Sequence, residues 1–229
     1  MQTQSAVRNS AVKQPVAVHM AHTMFGSVEL IGTTMTFKRG AEIFGENEPA
    51  DYVYKLLRGS ARSYQILSDG RRQIQGFHFA GDIFGLEAGA EHLSAAEALT
   101  DVVVLMVRRS AILNAAIHDG LVARELWTYT SRELDFAREH AMLLIKTAQE
   151  RVASFLLHLA DRFNGNAVDL PMSRQDIADY LGLTIETVSR QLTRLKTSGV
   201  IRLLNNRLIE VPDLDVLSRI AGQDALHPH

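Results

Sequence analysis

The run from Ser173 to Arg190, Ser-Arg-Gln-Asp-Ile-Ala-Asp-Tyr-Leu-Gly-Leu-Thr-Ile-Glu-Thr-Val-Ser-Arg, leaves few choices beyond two short helices joined by a tight turn. Ser173 with Asp176 three residues on is a capping-box start, and Ile177, Ala178 and Leu181 then fall on one face. Gly182 ends that helix, because a sharp turn needs a residue that takes a positive φ without a Cβ clash. Leu183 plugs the turn. Thr184 is placed to cap a second helix whose Ile185, Val188 and Leu192 recur at spacings of three and four, so that they face inward. Glu186, Ser189 and Arg190 are then left together on the outer face.

An α-helix fits the major groove of DNA. There an arginine can bond guanine O6 and N7, and a carboxylate can accept from the cytosine amino group. Glu186 and Arg190 suit those two roles and Ser189 lies between them. Arg190 at i+4 would also hold Glu186 in place, since a carboxylate near phosphates needs an offsetting cation. The plainer alternative is an exposed i,i+4 ion pair worth a few tenths of a kcal/mol. After Arg194 and Lys196, Ser198-Gly199 closes the helix. Val200 to Leu204 and Leu208 to Val211 are expected as two strands joined at Asn205-Asn206, the wing of a winged helix. From Glu186 to Arg207 there are five basic residues and one acidic one, against a net charge of −2 for the whole chain, so the basic character is local. Double-stranded DNA is the expected partner.

The segment Glu186-Thr187-Val188-Ser189-Arg190, preceded by Leu-Gly-Leu-Thr-Ile and followed by Lys-Thr-Ser-Gly-Val-Ile, resembles the recognition helix of CRP/FNR-superfamily transcription regulators and is most similar to the FixK-like branch. That resemblance, which extends from about Phe37 to Val211, implies reading of an inverted repeat with TTGA-type half-sites. The CRP branch carries an arginine before the glutamate and a glycine at the serine position, where this chain has Ile185 and Ser189. The resemblance further implies that Arg174, Gln175, Thr184, Thr187 and Lys196 contact phosphates, positioning the protein without specifying sequence. It also implies recruitment of RNA polymerase through exposed loops, and a leaning toward microaerobic or nitrogen-fixation gene control.

The expected fold class is α+β. An N-terminal antiparallel β jelly-roll, cyclic-nucleotide-binding-like, is followed by a long dimerisation helix and a C-terminal winged helix-turn-helix. The 229 residues, 46% of them hydrophobic, suit two cores. Expected boundaries are a mobile N-terminal arm over 1–25, a sensor barrel over 26–120, a dimerisation helix over 121–145, the DNA-binding domain over 146–221 and a tail over 222–229. No run of eighteen apolar residues and no apolar signal core near the N-terminus is present, so a cytoplasmic protein with no membrane partner is expected.

From Met35 to Val107 short apolar runs alternate with turns at Gly40, Gly45, Gly59, Gly70, Gly81 and Gly85, the pattern of an antiparallel barrel. Tyr52 to Gly59, Ala61 to Leu67 and Gln73 to Phe79 are its clearest strands, with Asp69-Gly70 a hairpin turn. Gly81-Asp82-Ile83-Phe84-Gly85 matches the glycine-bounded turn of the superfamily's sensor domain. Its cyclic AMP receptors hold the nucleotide with a Gly-Glu and an Arg-Ser pair. Here the matching positions read Gly85-Leu86 and Leu93-Ser94, and leucine neither accepts from a ribose hydroxyl nor neutralises a phosphate. No cyclic AMP response is expected. Arg71 and Arg72 read as a solvated hairpin face, with another anion as the alternative.

Zero cysteines exclude disulfides and the cysteine-ligated iron–sulfur cluster through which FNR itself senses oxygen. Of the nine histidines, none in the barrel stands at paired ligand spacing, and His227 and His229 belong to the tail. His78, alone in its strand, is expected at the surface or in a bonded core position. Neither a Ser-His-Asp arrangement nor a phosphate-binding glycine loop is present, so an enzyme is not expected, and neither a metal nor any other cofactor.

Trp127, Thr130, Leu134, Ala137, Ala141 and Leu144 follow spacings of three and four, a heptad seam within a helix running from about Leu121 to Ile145. Two copies would zip together there, Ala137 and Ala141 allowing close approach; the alternative is that the stripe packs on its own barrel. Dimerisation is favoured because a palindromic target demands a two-fold protein. Lys146-Thr147 would be a hinge to a helix over Ala148 to Phe163 that carries Val152, Phe155, Leu156 and Leu159 inward. The chain is therefore read as an effector-free homodimeric activator. A regulator gated by an unidentified small molecule in the barrel is the alternative, and Ser173 is either a helix cap or a regulatory position.

Overall fold

The computed structural model describes residues 32–205 and 207–222. The expected arm over 1–25, residues 26–31 of the expected barrel, Asn206 of the wing turn, and all of the expected tail except Gly222, His227 and His229 included, lie outside the described residues. Two compact units are present. One comprises 32–65 and 76–126, and the other comprises 66–75 and 127–222.

Between residues 32 and 108 the chain forms β1 (Gly32–Phe37), β2 (Glu42–Phe44), β3 (Tyr52–Arg58), β4 (Ser60–Ile66), β5 (Arg72–Phe79), β6 (Ile83–Phe84), β7 (Ala95–Ala98) and β8 (Val102–Arg108). These make two four-stranded sheets in the orders β1-β8-β3-β6 and β2-β7-β4-β5. Their pairing is antiparallel, with Gly32 opposite Val107 and Phe37 opposite Val102, and Val53 opposite Val107 on the other side of β8. Residues from both sheets, Met35, Phe37, Ile43, Leu56, Ala96 and Val104 among them, form one buried cluster. Alternating apolar strands bury one face each, and two such faces close on one another as a jelly roll does. Gly59 (φ 88°) turns β3 into β4 so tightly that a Cβ would stand 2.5 Å from the Asp101 carbonyl oxygen, a position only glycine fills.

Helices α1 (Arg109–His118) and α2 (Gly120–Leu143) follow, then α3 (Ala148–Arg162), β9 (Ala167–Asp169), α4 (Arg174–Leu181), α5 (Ile185–Thr197), β10 (Arg202–Leu203), β11 (Leu208–Glu210) and α6 (Leu214–Ile220). α2 starts one residue before the expected helix and stops two residues short of it. It carries two stripes of heptad spacing. Val122 and Leu143 are buried, and Leu126, Tyr129, Phe136 and His140 between them are half-buried. The seam residues Trp127, Thr130, Leu134, Ala137, Ala141 and Leu144 form the other stripe and are all exposed, Trp127 to 74% and Leu134 to 51%. The expected dimer seam is thus the stripe that the chain leaves uncovered, and a different stripe faces inward.

The Lys146-Thr147 link, expected as a hinge, is tied down within the second unit. Lys146 donates from Nζ to the Ser154 hydroxyl (3.2 Å) and to the Ala221 carbonyl (2.7 Å), and Arg151 donates to the carbonyls of Lys146, Leu181 and Leu144. Thr147 caps α3 in a complete capping box with Glu150. α3 buries Val152, Phe155, Leu156 and Leu159 as its spacing requires, and it ends at Asn164 in the left-handed region (φ 48°). No described helix is long and apolar enough to cross a membrane.

Candidate nucleic-acid interface

The motif helices are built as their sequence dictates. The Ser173 hydroxyl accepts from the Asp176 backbone N–H (3.1 Å) and donates to Asp176 Oδ2 (2.8 Å), while the Ser173 N–H donates to the same oxygen (2.8 Å). Gly182 takes the left-handed conformation (φ 61°) and its N–H bonds the Ala178 carbonyl, ending α4. Thr184 then caps α5, accepting from the Thr187 N–H at 3.2 Å.

α5 separates its residues by face. Val188, Gln191, Leu192 and Leu195 are buried, whereas Glu186, Ser189 and Arg190 are exposed together. Ile185, expected inside, is 37% exposed: at the first turn of the helix it reaches the rim of the core rather than its interior. Arg190 does not pair with Glu186. Its Nη2 donates to Thr187 Oγ1 (3.2 Å), whose hydroxyl lies 3.0 Å from that of Thr184, so a polar row runs Thr184, Thr187, Arg190 along the outer face. Among the described residues the Glu186 carboxylate has no hydrogen-bond or ion-pair partner, which leaves it open to a donor from outside.

Among the residues carried over as phosphate contacts, Thr184, Gln175 and Lys196 are exposed and Thr187 is half-buried. Gln175 directs its amide to Asp179 Oδ1 at 2.6 Å. Arg174 is half-buried at the start of α4, where burial lowers its guanidinium pKa and leaves Nη1 enclosed without an acceptor. β10 and β11 form the wing, with Arg202 opposite Glu210, and β9 adds a third strand that the sequence did not announce. Asn205 Oδ1 accepts from the N–H groups of Arg207 and Leu208, both at 2.7 Å, closing the wing turn as asparagine side chains do. Arg207 is exposed, and Arg202 reaches Glu210 at 3.4 Å.

Two features were not foreseen. Arg72, expected as part of a solvated face, instead binds two carboxylates on α4: its Nη2 stands 2.6 Å from Asp176 Oδ1 and 2.8 Å from Asp179 Oδ2. Arg71 does stay at the surface, paired with Asp69 at 2.7 Å. The other feature is His92, 1% exposed in the first unit, its ring stacked on Phe44 at 3.8 Å, with Tyr54 and Phe84 continuing the aromatic group. Its Nδ1 lies 3.6 Å from Glu87 Oε1, too long for a hydrogen bond, and neither ring nitrogen has a hydrogen-bond partner among the described residues. Burial lowers its pKa, against an opposing pull from Glu87. Of the matched nucleotide positions, Leu93 is exposed and Ser94 buried. His78 is a bonded histidine, its Nε2 3.1 Å from the Ser63 hydroxyl and its ring stacked on Phe84. Among the described residues no group of three or more metal-capable side chains comes together.

The model of the Crp-like helix-turn-helix domain matches residues 150–220, and that of the cyclic nucleotide-binding domain matches residues 34–119. The nitrogen fixation regulation protein FixK of Azorhizobium caulinodans is 46% identical over 200 residues, covering 84% of this chain and 81% of that protein. The protein of the same name from Rhizobium meliloti is 38% identical over 217 residues, 93% of this chain and 99% of the other. The chain belongs to the CRP/FNR family. The solved structure of FixK2 from Bradyrhizobium japonicum superposes with a TM-score of 0.80 at 48% identity, covering 87% of this chain and all of that one. This CRP/FNR-family chain is a DNA-binding transcription regulator and not an enzyme, and α4, α5 and the wing lie within its Crp-like helix-turn-helix domain.

Proposed function

We propose that the chain binds TTGA-type inverted repeats as a homodimer without a small-molecule effector and activates transcription by recruiting RNA polymerase to the bound site. The observation that carries this reading is the joint exposure of Glu186, Ser189 and Arg190 on a capped helix whose opposite face is buried. Glu186 and Arg190 make base-edge contacts with Ser189 between them, while Arg174, Gln175, Thr184, Thr187 and Lys196 grip phosphates. The exposed seam on α2 supports a two-fold arrangement that sets one α5 into each of two successive major grooves, about 34 Å apart.

The proposed organisation is a sensor-type barrel over 26–120, a dimerisation helix over 121–145 and a DNA-binding domain over 146–221. Freedom from cyclic AMP is supported by Leu86 and Leu93 at the positions of the nucleotide's polar anchors. The relatives' names, nitrogen fixation regulation protein, favour control of genes in that process.

The test is a footprint with purified, ligand-free protein on duplex DNA carrying a TTGA-type inverted repeat, at stated salt. Protection of both half-sites is expected, at an affinity 10³-fold or more above that for random duplex. Protection that appears only after a small molecule is added would overturn the effector-free reading. Equal affinity for both duplexes would overturn the sequence assignment.

A further inference from the structure

We infer that Arg72 is a positioning residue for DNA binding, acting through the α4 carboxylates of Asp176 and Asp179; the inference rests on the DNA-binding reading above. Residues 66–75 group with the second unit, and Arg72, the first residue of β5, is how they reach α4. Its guanidinium serves both carboxylates at once. Nη2 stands 2.6 Å from Asp176 Oδ1 and 2.8 Å from Asp179 Oδ2, and Nε donates to the same Asp179 oxygen at 2.9 Å.

Each carboxylate has its other oxygen committed to the motif. Asp176 Oδ2 takes the N–H and the hydroxyl of Ser173, the cap of α4. Asp179 Oδ1 takes the amide of Gln175, one of the proposed phosphate contacts. A continuous chain of charge-assisted bonds therefore runs from Arg72 to the capped start of the helix and to a side chain offered to the DNA backbone. Asp176 is only 3% exposed, and a buried carboxylate is tolerated when it is paired and bonded. A planar fork is required to span two acids one turn apart, which a lysine ammonium does with poorer geometry. α4 in turn packs on α5 across the Gly182 turn. Loss of Arg72 leaves two neighbouring carboxylates to repel one another on α4, moving Gln175 and loosening the support on which α5 rests. Arg72 itself is turned to these acids, so its effect on DNA binding is expected to be indirect.

The experiment uses the full chain and measures affinity for duplex carrying the inverted repeat and for random duplex, between 50 and 200 mM salt, for Arg72→Ala, Arg72→Lys and Asp179→Asn. Arg72→Ala should lose at least tenfold on the repeat and less than about threefold on random DNA. Arg72→Lys should fall between it and the unmutated protein, and the salt slope should not change. In the Asp179→Asn background the loss from Arg72→Ala should shrink, the coupling expected of a residue that acts through another. Repeat affinity within twofold of the unmutated protein, losses equal on the two duplexes, or additivity with Asp179→Asn would each overturn the inference. A slope shallower by about one would do so too, by making Arg72 a direct phosphate ligand. Should Arg72→Ala unfold, Asp179→Asn, which keeps Asp176 paired, must show the same split at smaller size; unchanged repeat binding then sinks the idea. Failure of the unmutated protein to prefer the repeat is a different result, one that removes the sequence assignment itself.

Discussion

Arg190 and Lys196 both stand exposed on α5, yet their expected contacts differ in kind. A guanidinium set against guanine O6 and N7 discriminates between bases, so Arg190→Ala should cost about 1–3 kcal/mol and relax selection at one position of each half-site. Lys196 is proposed to meet a phosphate, which every sequence supplies. Its replacement by alanine should weaken repeat and random DNA alike and reduce the salt slope by about one. A binding-site selection run beside a salt titration separates the two, and identical profiles for both variants would contradict the division. His92 makes a different prediction. Buried among Phe44, Tyr54 and Gly85 and facing Glu87, Glu48 and Arg109, it is held neutral, its folded pKa below the ordinary histidine value. The unfolded chain therefore takes up the proton first, and stability present above the ordinary histidine pKa is lost as pH falls toward the lowered one. Urea midpoints at pH 7 and pH 5 should show a larger drop for the unmutated protein than for His92→Phe, which keeps the stacked ring and removes the titrating nitrogen.

Helix ends are where sequence reading was strongest, because the signal is local. Ser173 with Asp176 and Gly182 announced α4, and each makes the bond its type implies. Ser173→Ala should therefore lower the unfolding free energy by about 1 kcal/mol in a urea titration, and Thr147→Ala, which removes the cap of α3, should do about the same. The helix α2 was legible from its periodicity, and so were β3, β4 and β5, each bounded by a glycine turn. α1 was not legible. Its apolar residues lie on all sides, it follows β8 without a break, and Arg108 before it makes no side-chain cap. β9, three residues long, exists only through its pairing with β11 about forty positions later, and nothing within three residues of sequence encodes that. Arg72 is the sharpest case in the site, since its partners lie 104 and 107 residues away. A local pattern of Asp-Gly-Arg-Arg describes a hairpin surface correctly for Arg71 and wrongly for its neighbour. His92 was passed over because no pairing at ligand spacing marks it, and only burial distinguishes it.

At the scale of the whole molecule, a chain with net charge −2 has no general attraction to DNA and depends on a local basic stretch, five basic residues to one acidic between Glu186 and Arg207. One such stretch gives a weak grip; two joined across a two-fold axis convert the second contact into an intramolecular one and raise affinity by about 10²–10⁴ without any new contact. The α2 seam is what would join them. Burying Trp127, Leu134 and Leu144 against a second copy removes large apolar side chains from water at about 25 cal/mol per Å². A single buried lysine near the middle of the seam sets a desolvation cost against that gain. Leu134→Lys should accordingly sediment as a monomer at concentrations where the unmutated protein is a dimer. Because Leu134 lies on α2 and not on α5, the monomer's affinity for an isolated half-site should match that of the unmutated chain, while its affinity for the full inverted repeat falls about a hundredfold or more. A variant that still sediments as a dimer places the interface elsewhere on the chain. A monomer that keeps full affinity for the repeat separates DNA reading from pairing altogether.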